Sequence, residues 1–125
     1  MITEIKNKKI FSTDVGYDYD HKKPTIILLH GSGQSHVVWS LTDQFLAGQG
    51  YNVFALDLPG HGNSDGPSLQ SIEEMSKWLN DFVQHMGIET SILVGHSQGC
   101  LIALEFARCY QTRVDKIIFI AGSYT

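Results

Sequence analysis

No run of 18 apolar residues occurs in these 125, so no segment reads as a membrane span and a membrane is not an expected partner. The opening residues Met1-Ile2-Thr3-Glu4-Ile5-Lys6 are charged and lack the apolar core of a secretory leader, so the expectation is a soluble, cytoplasmic protein. Positive charge is scarce: 9 Lys and Arg stand against 13 Asp and Glu, for a net charge of −4, which argues against a phosphate backbone and hence nucleic acid as partner. Cysteine is scarcer still. Cys100 and Cys109 lie in what reads as one helix, where nine residues place their Cα atoms roughly 13 Å apart. A disulfide tolerates less than about 7 Å, so two free, mostly buried thiols in a reducing compartment are expected. The six histidines, at 21, 30, 36, 61, 85 and 96, include no H-x-x-x-H pair, and no metal site is expected. Proline numbers only 3, while 42% of residues are hydrophobic, which excludes a disordered or low-complexity chain.

The apolar residues are concentrated in four short runs: Thr25–His30, Asn52–Asp57, Ser91–Val94 and Lys116–Ile120. None alternates apolar with polar, the pattern of strands buried on both faces of a parallel sheet. Helical spacing links them. Residues 36–47 place Val38, Trp39, Phe45 and Leu46 on one stripe. Residues 69–86 do the same with Ile72, Met75, Leu79, Phe82, Val83 and Met86, Trp78 lying beside them, and residues 98–110 with Leu101, Ile102, Leu104, Phe106 and Ala107. Ser71-Ile72-Glu73-Glu74 fits a capping box and Gly87 a helix C-terminus. Strands joined by helices predict right-handed crossovers and an α/β fold, a mostly parallel sheet with helices on both faces. Residues 2–20 read as a polar hairpin on the sheet edge, and residues 1–125 as one domain.

In such sheets chemistry collects at the carboxyl ends of strands. Three strands run into glycine-rich turns there: His30-Gly31-Ser32-Gly33, Asp57-Leu58-Pro59-Gly60-His61-Gly62-Asn63-Ser64 and Gly95-His96-Ser97-Gln98-Gly99. G-x-S-x-G is a weak signal alone, since this composition yields roughly 0.1 matches by chance. Two are present, and context separates them. Ser97 follows a buried strand and opens a helix, as a nucleophile on a sharp strand-to-helix turn must. Ser64 follows a loop and precedes Pro67, which makes it a turn residue. A serine at a helix N-terminus lies beside unpaired N–H groups that favour developing negative charge. The Gln98 N–H supplies one half of an oxyanion hole, and Ser32, with Gly33 second, the other.

In this order and spacing the three motifs resemble the α/β-hydrolase superfamily, most closely its lipase, esterase and carbon–carbon hydrolase group. The resemblance implies Ser97 as nucleophile, Ser32 and Gln98 as oxyanion donors, and His30, Gly31, Gly33, His61 and His96 as residues flanking the site. It implies a small-molecule acyl substrate and no cofactor. A serine here argues against the dehalogenase and epoxide-hydrolase branches, which attack with a carboxylate.

The base and its acid are missing. In this family they follow the nucleophile in the order acid, then histidine. After Ser97 the only acids are Glu105 and Asp115, there is no histidine, and Ala121-Gly122-Ser123 follows the last strand without an acid. The family pattern therefore ends before the cap, the triad acid and the triad histidine. The expectation is an N-terminal part of a hydrolase, inactive alone, or a half that pairs through the edge strand Lys116–Ile120 with a C-terminal half or a second copy. His30 and His61 could act as a local base, but the simpler reading has them bonding backbone and holding loops. Two other readings compete: a non-catalytic module for binding or assembly, and a dinucleotide-binding half-domain. The latter would use Gly31-Ser32-Gly33 for a pyrophosphate and Asp57 for a ribose hydroxyl, but His36 replaces its third glycine.

Overall fold

The computed structural model describes residues 1–120. Four parallel strands form the central sheet: β3 (Thr25–Leu29), β4 (Asn52–Leu56), β5 (Ser91–His96) and β6 (Val114–Ile120), in the order β4-β3-β5-β6. Every residue of β3 and β4 is buried, as the unbroken apolar runs require. Alternate side chains feed two cores. On one face Ile27, Leu29, Phe54, Leu56 and Leu93 meet α2 (Ile72–Met86) and α3 (Gln98–Cys109) through Leu79, Phe82, Ile102 and Phe106. On the other Ile26, Leu28, Val53, Ala55 and Val94 meet Trp39 and Ala47, the latter in α1 (Thr42–Gly48). Helices on both faces of a mostly parallel sheet are the architecture expected.

Helix α2 begins and ends on its own sequence signals. Ser71 Oγ accepts the Glu74 N–H at 3.1 Å, and Gly87, at φ +71°, closes the helix by donating to the Gln84 and Val83 carbonyls. Both stop the chain where the apolar stripe stops.

Four expectations are corrected. The helix expected over 36–47 is two pieces, a 3₁₀ turn at His36–Trp39 and then α1. Asp57 holds the His36 backbone N–H at 2.7 Å, and Leu41 at φ +72° redirects the chain, so Trp39 and Ala47 are buried while Val38 and Phe45 are exposed. The hairpin is shorter than residues 2–20. β1 (Ile2–Ile5) and β2 (Lys8–Phe11) pair antiparallel around Lys6-Asn7, both at positive φ, as a two-residue hairpin turn needs. Beyond it Ser12 bridges Leu56 and Thr13 donates to the Ala55 carbonyl at 3.2 Å, covering the outer edge of β4. The thiols are not both buried: Cys100 is half-buried and Cys109 exposed, because only one face of α3 meets the sheet. Leu101 and Leu104, counted with the apolar stripe of α3, are exposed for the same reason, while Ile102, Ala103 and Phe106 carry the contact. The outer edge of β6 pairs with nothing among the described residues, and Ile118, Phe119 and Ile120 are exposed along it. The Ala121-Gly122-Ser123 segment lies outside the described residues.

Candidate active site

At the carboxyl end of β5 the chain turns into α3 through Ser97, whose φ of 57° and ψ of −119° place a non-glycine residue in a conformation that L-residues avoid. The strain is held by close packing on both sides. A Cβ on Gly95 would come within 2.6 Å of the Cys100 nitrogen and the Gly99 carbonyl. A Cβ on Gly99 would collide with the Leu29 carbonyl oxygen and lie 2.8 Å from its carbon. The two glycines of the motif are thus demanded by contact with backbone. The result is an exposed Ser97 side chain that makes no hydrogen bond among the described residues.

The loop after β3 lies against this turn. A Cβ on Gly31 would stand 2.9 Å from Ser97 Cβ and 3.3 Å from its Oγ. Three N–H groups of the loop are engaged: Gly31 donates to Gln34 Oε1 at 2.8 Å, Gly33 to His61 Nε2 at 3.1 Å and Gln34 to the Gly31 carbonyl at 3.2 Å. The N–H groups of Ser32 and of Gln98 have no partner among the described residues. For Gln98 this follows from its place in the first turn of α3, where no preceding helical carbonyl exists.

The flanking histidines are tied to backbone or to side-chain amides. His30 is fully buried. Its Nε2 accepts the Leu58 N–H at 3.0 Å, so the proton sits on Nδ1 and is donated to the Gly31 carbonyl at 2.7 Å. Burial lowers its pKa below the ordinary 6.5; the Gly31 bond opposes this and the nearby His61 reinforces it, so the ring is neutral at pH 7. His61, with Nε2 on the Gly33 N–H, directs Nδ1 to the Pro59 carbonyl at 3.0 Å, its ring 5.2 Å from that of His30. His30 and His61 therefore stitch the loop after β3 to the loop after β4. His96 Nδ1 meets Gln34 Oε1 at 3.1 Å.

Two side chains organise the site: Gln34, which carried no sequence signal, and Asp57, which the sequence offered in its second glycine-rich motif and as the ribose ligand of the dinucleotide reading. Gln34 Oε1 takes both the Gly31 N–H and His96 Nδ1, linking the loop to the residue before Ser97. Asp57, with no exposed surface, takes the His36 N–H at 2.7 Å, His36 Nδ1 at 2.9 Å and the Asn63 N–H at 2.8 Å. Ser64 is a turn residue: its Oγ donates to the Asp57 carbonyl at 2.7 Å and accepts the Phe11 N–H at 2.9 Å. Of the acids after Ser97, Glu105 is held by both nitrogens of an Arg108 fork, at 2.9 and 2.8 Å, which lowers its pKa. Asp115 is exposed at the amino end of β6. The dinucleotide reading has no purchase here. Asp57 is spent on its own loops, and a 3₁₀ turn follows Gly33 where a helix N-terminus would have to face a pyrophosphate.

Comparison with known proteins finds the same fold. Residues 24–125 match the family model for the alpha/beta hydrolase fold. A pimeloyl-[acyl-carrier protein] methyl ester esterase of Aeromonas hydrophila is 36% identical over 100 residues, covering 80% of this chain and 38% of that protein. Epoxide hydrolase B of Mycobacterium tuberculosis is 31% identical over 105 residues, covering 82% of this chain and 30% of its own length. The crystal structure of a predicted CIB-like hydrolase from Thermoplasma acidophilum superposes with a TM-score of 0.85 at 24% identity, over 98% of this chain and 62% of that one. The chain spans about a third of the length of the curated relatives it matches.

Proposed function

The chain belongs to the alpha/beta hydrolase fold family, and from that premise we propose that Ser97 is the nucleophile of an acyl-transfer hydrolase acting on a small carboxylic ester or related acyl substrate. The observation that carries the reading is the Ser97 backbone itself, strained at φ 57° and clamped between Gly95 and Gly99 so that its hydroxyl stands clear of the sheet. Strain maintained by packing on both sides is a feature of functional turns. A hydroxyl rather than a carboxylate at this turn favours acyl transfer over the chemistry named for the epoxide hydrolase relative.

In this reading Ser97 Oγ attacks the substrate carbonyl carbon while a base takes its proton. The N–H groups of Gln98 and Ser32 receive the negative charge that develops on oxygen. The leaving group departs with the proton, and water then releases the acid and restores Ser97. Ser32 is supported over Gly33 as donor because the Gly33 N–H is already given to His61. Following the family's order of acid and then histidine after the nucleophile, the base is assigned to a histidine outside these 125 residues; His30 and His61 use both ring nitrogens on the loops. The edge of β6 that pairs with nothing among the described residues, with Phe119 half exposed, is then the place where a further strand adds, from the rest of the fold or from a second copy.

The test begins with the intact mass of the native gene product, followed by fluorophosphonate labelling and ester hydrolysis on that product. The expected result is an adduct on Ser97 and a loss of at least about 1,000-fold in kcat/KM in Ser97→Ala. The 125-residue chain alone should be neither labelled nor active. Hydrolysis that survives Ser97→Ala within tenfold refutes the assignment. An intact product that is neither labelled nor active on any ester favours the non-catalytic module.

A further inference from the structure

A second cavity lies away from this chemistry. Residues of the segment from Thr13 to Tyr19, of the start of β4 and of the end of α2 line a half-open cavity of about 220 Å³. Tyr51 and Asn52 place the cavity at the amino end of β4, whereas the Ser97 turn sits at the carboxyl end of the parallel strands, and no residue is shared between the two. The volume is many times what one water molecule needs, yet below the range of about 300–1,000 Å³ that encloses a whole drug-sized ligand. The occupant it suits is therefore a compact head group.

The lining specifies the chemistry of that group. Tyr17, Tyr19 and Tyr51 all line this one cavity, together with Val53 and Phe54 at the edge of β4. Aromatic faces carry negative quadrupole charge and attract cations, most effectively weakly hydrated ones. One ring already shows this preference, for the Lys23 ammonium stands 5.5 Å over the centre of Tyr17. Asp14 and Asp18 also line the cavity. One Asp14 oxygen takes the Gly16 N–H at 2.8 Å, and Asp18 has no hydrogen bond or ion pair among the described residues. Two ammonium groups lie nearby, that of Met1, held on the Ser12 carbonyl at 2.6 Å, and that of Lys23 over Tyr17, so the two carboxylates are balanced and Asp18 is the one left without a partner among the described residues. The free carboxylate of Asp18 and the tyrosine rings disfavour an anion. A metal ion is not suited either, because no three ligating side chains converge among the described residues.

We propose that this cavity binds a small quaternary ammonium group. The proposal does not depend on the role assigned to Ser97. Choline is the probe, and 3,3-dimethylbutan-1-ol, in which carbon replaces the charged nitrogen, is its neutral control. Binding is followed by NMR on the tyrosine ring resonances. Choline should shift Tyr19 and Tyr51 saturably, and the neutral control should bind roughly five- to thirtyfold more weakly, the factor expected of a cation–π contact. Asp18→Asn and Tyr19→Leu, both at surface positions, should each weaken choline without changing the control. Equal affinity for the two probes would reduce the cavity to an apolar crevice and overturn the proposal. So would choline binding that neither variant changes, or no shift at 50-fold the concentration of protein and above, up to the solubility of the salt.

Discussion

Replacing Gly99 by alanine tests whether the Ser97 turn is held by backbone packing. The new Cβ would collide with the Leu29 carbonyl oxygen and stand 2.8 Å from the Leu29 carbonyl carbon and 3.1 Å from the His30 carbonyl oxygen. All three are backbone atoms, and Leu29 ends β3, which is paired on both sides by β4 and β5. The sheet cannot yield, so α3 must lift, and Ile102 and Phe106 are fully buried beneath it. Overpacking of this kind costs about 3 kcal/mol, the upper end of the usual range, because no flexible side chain can move aside. Alanine in place of glycine within a helix returns up to about 1 kcal/mol, leaving a net loss of about 2 kcal/mol. For a chain of this length that lowers Tm by about 8 °C. Gly48→Ala is the control: Gly48 closes α1, and a Cβ there would meet no atom within 4 Å, so the same change should raise Tm by about 2–4 °C. Thermal unfolding followed by circular dichroism decides between them. A Gly99→Ala Tm equal to or above the parent would refute the packing argument.

Two further outcomes follow from the same site. Burial holds the His30 pKa below 6.5, so the unfolded chain binds a proton that the folded one resists. The stability this contributes is complete above pH 6.5 and declines as pH falls from there through the lower folded value, by at most about 1.4 kcal/mol per pH unit; urea midpoints from pH 7.5 to 5 should show that slope, and His30→Gln should flatten it. Ser97→Gly should raise the unfolding midpoint by about 1 kcal/mol in stability, since glycine adopts φ 57° without strain, while Ser97→Ala keeps the strain and stays near the parent. A Ser97→Gly protein less stable than Ser97→Ala would show that the turn stores no strain.

Strands, α2 and the Ser97 turn were legible in the sequence because each rests on local chemistry. Apolar runs such as Ile26–Leu29 have no solvent-facing side, Ser71 and Gly87 cap their helix within a few residues, and Gly95 and Gly99 flank Ser97 because the turn has no space for a side chain. The break between the 3₁₀ turn and α1 was not legible, since helical spacing continues through Leu41 and what interrupts it is Asp57, 21 residues from His36. The same holds for Gln34, whose amide reaches His96 across 62 residues of chain, and for Phe119 and Leu104, whose exposure depends on what else packs against β6 and α3. What this sequence determined alone was the order of strands and helices and the serine at the head of α3, because periodicity, caps and steric exclusion act between neighbours. Only the tertiary structure decided which N–H groups around Ser97 are spent and which stay free. Those hydrogen bonds join residues that the folded sheet brings together, and no spacing along the chain encodes them.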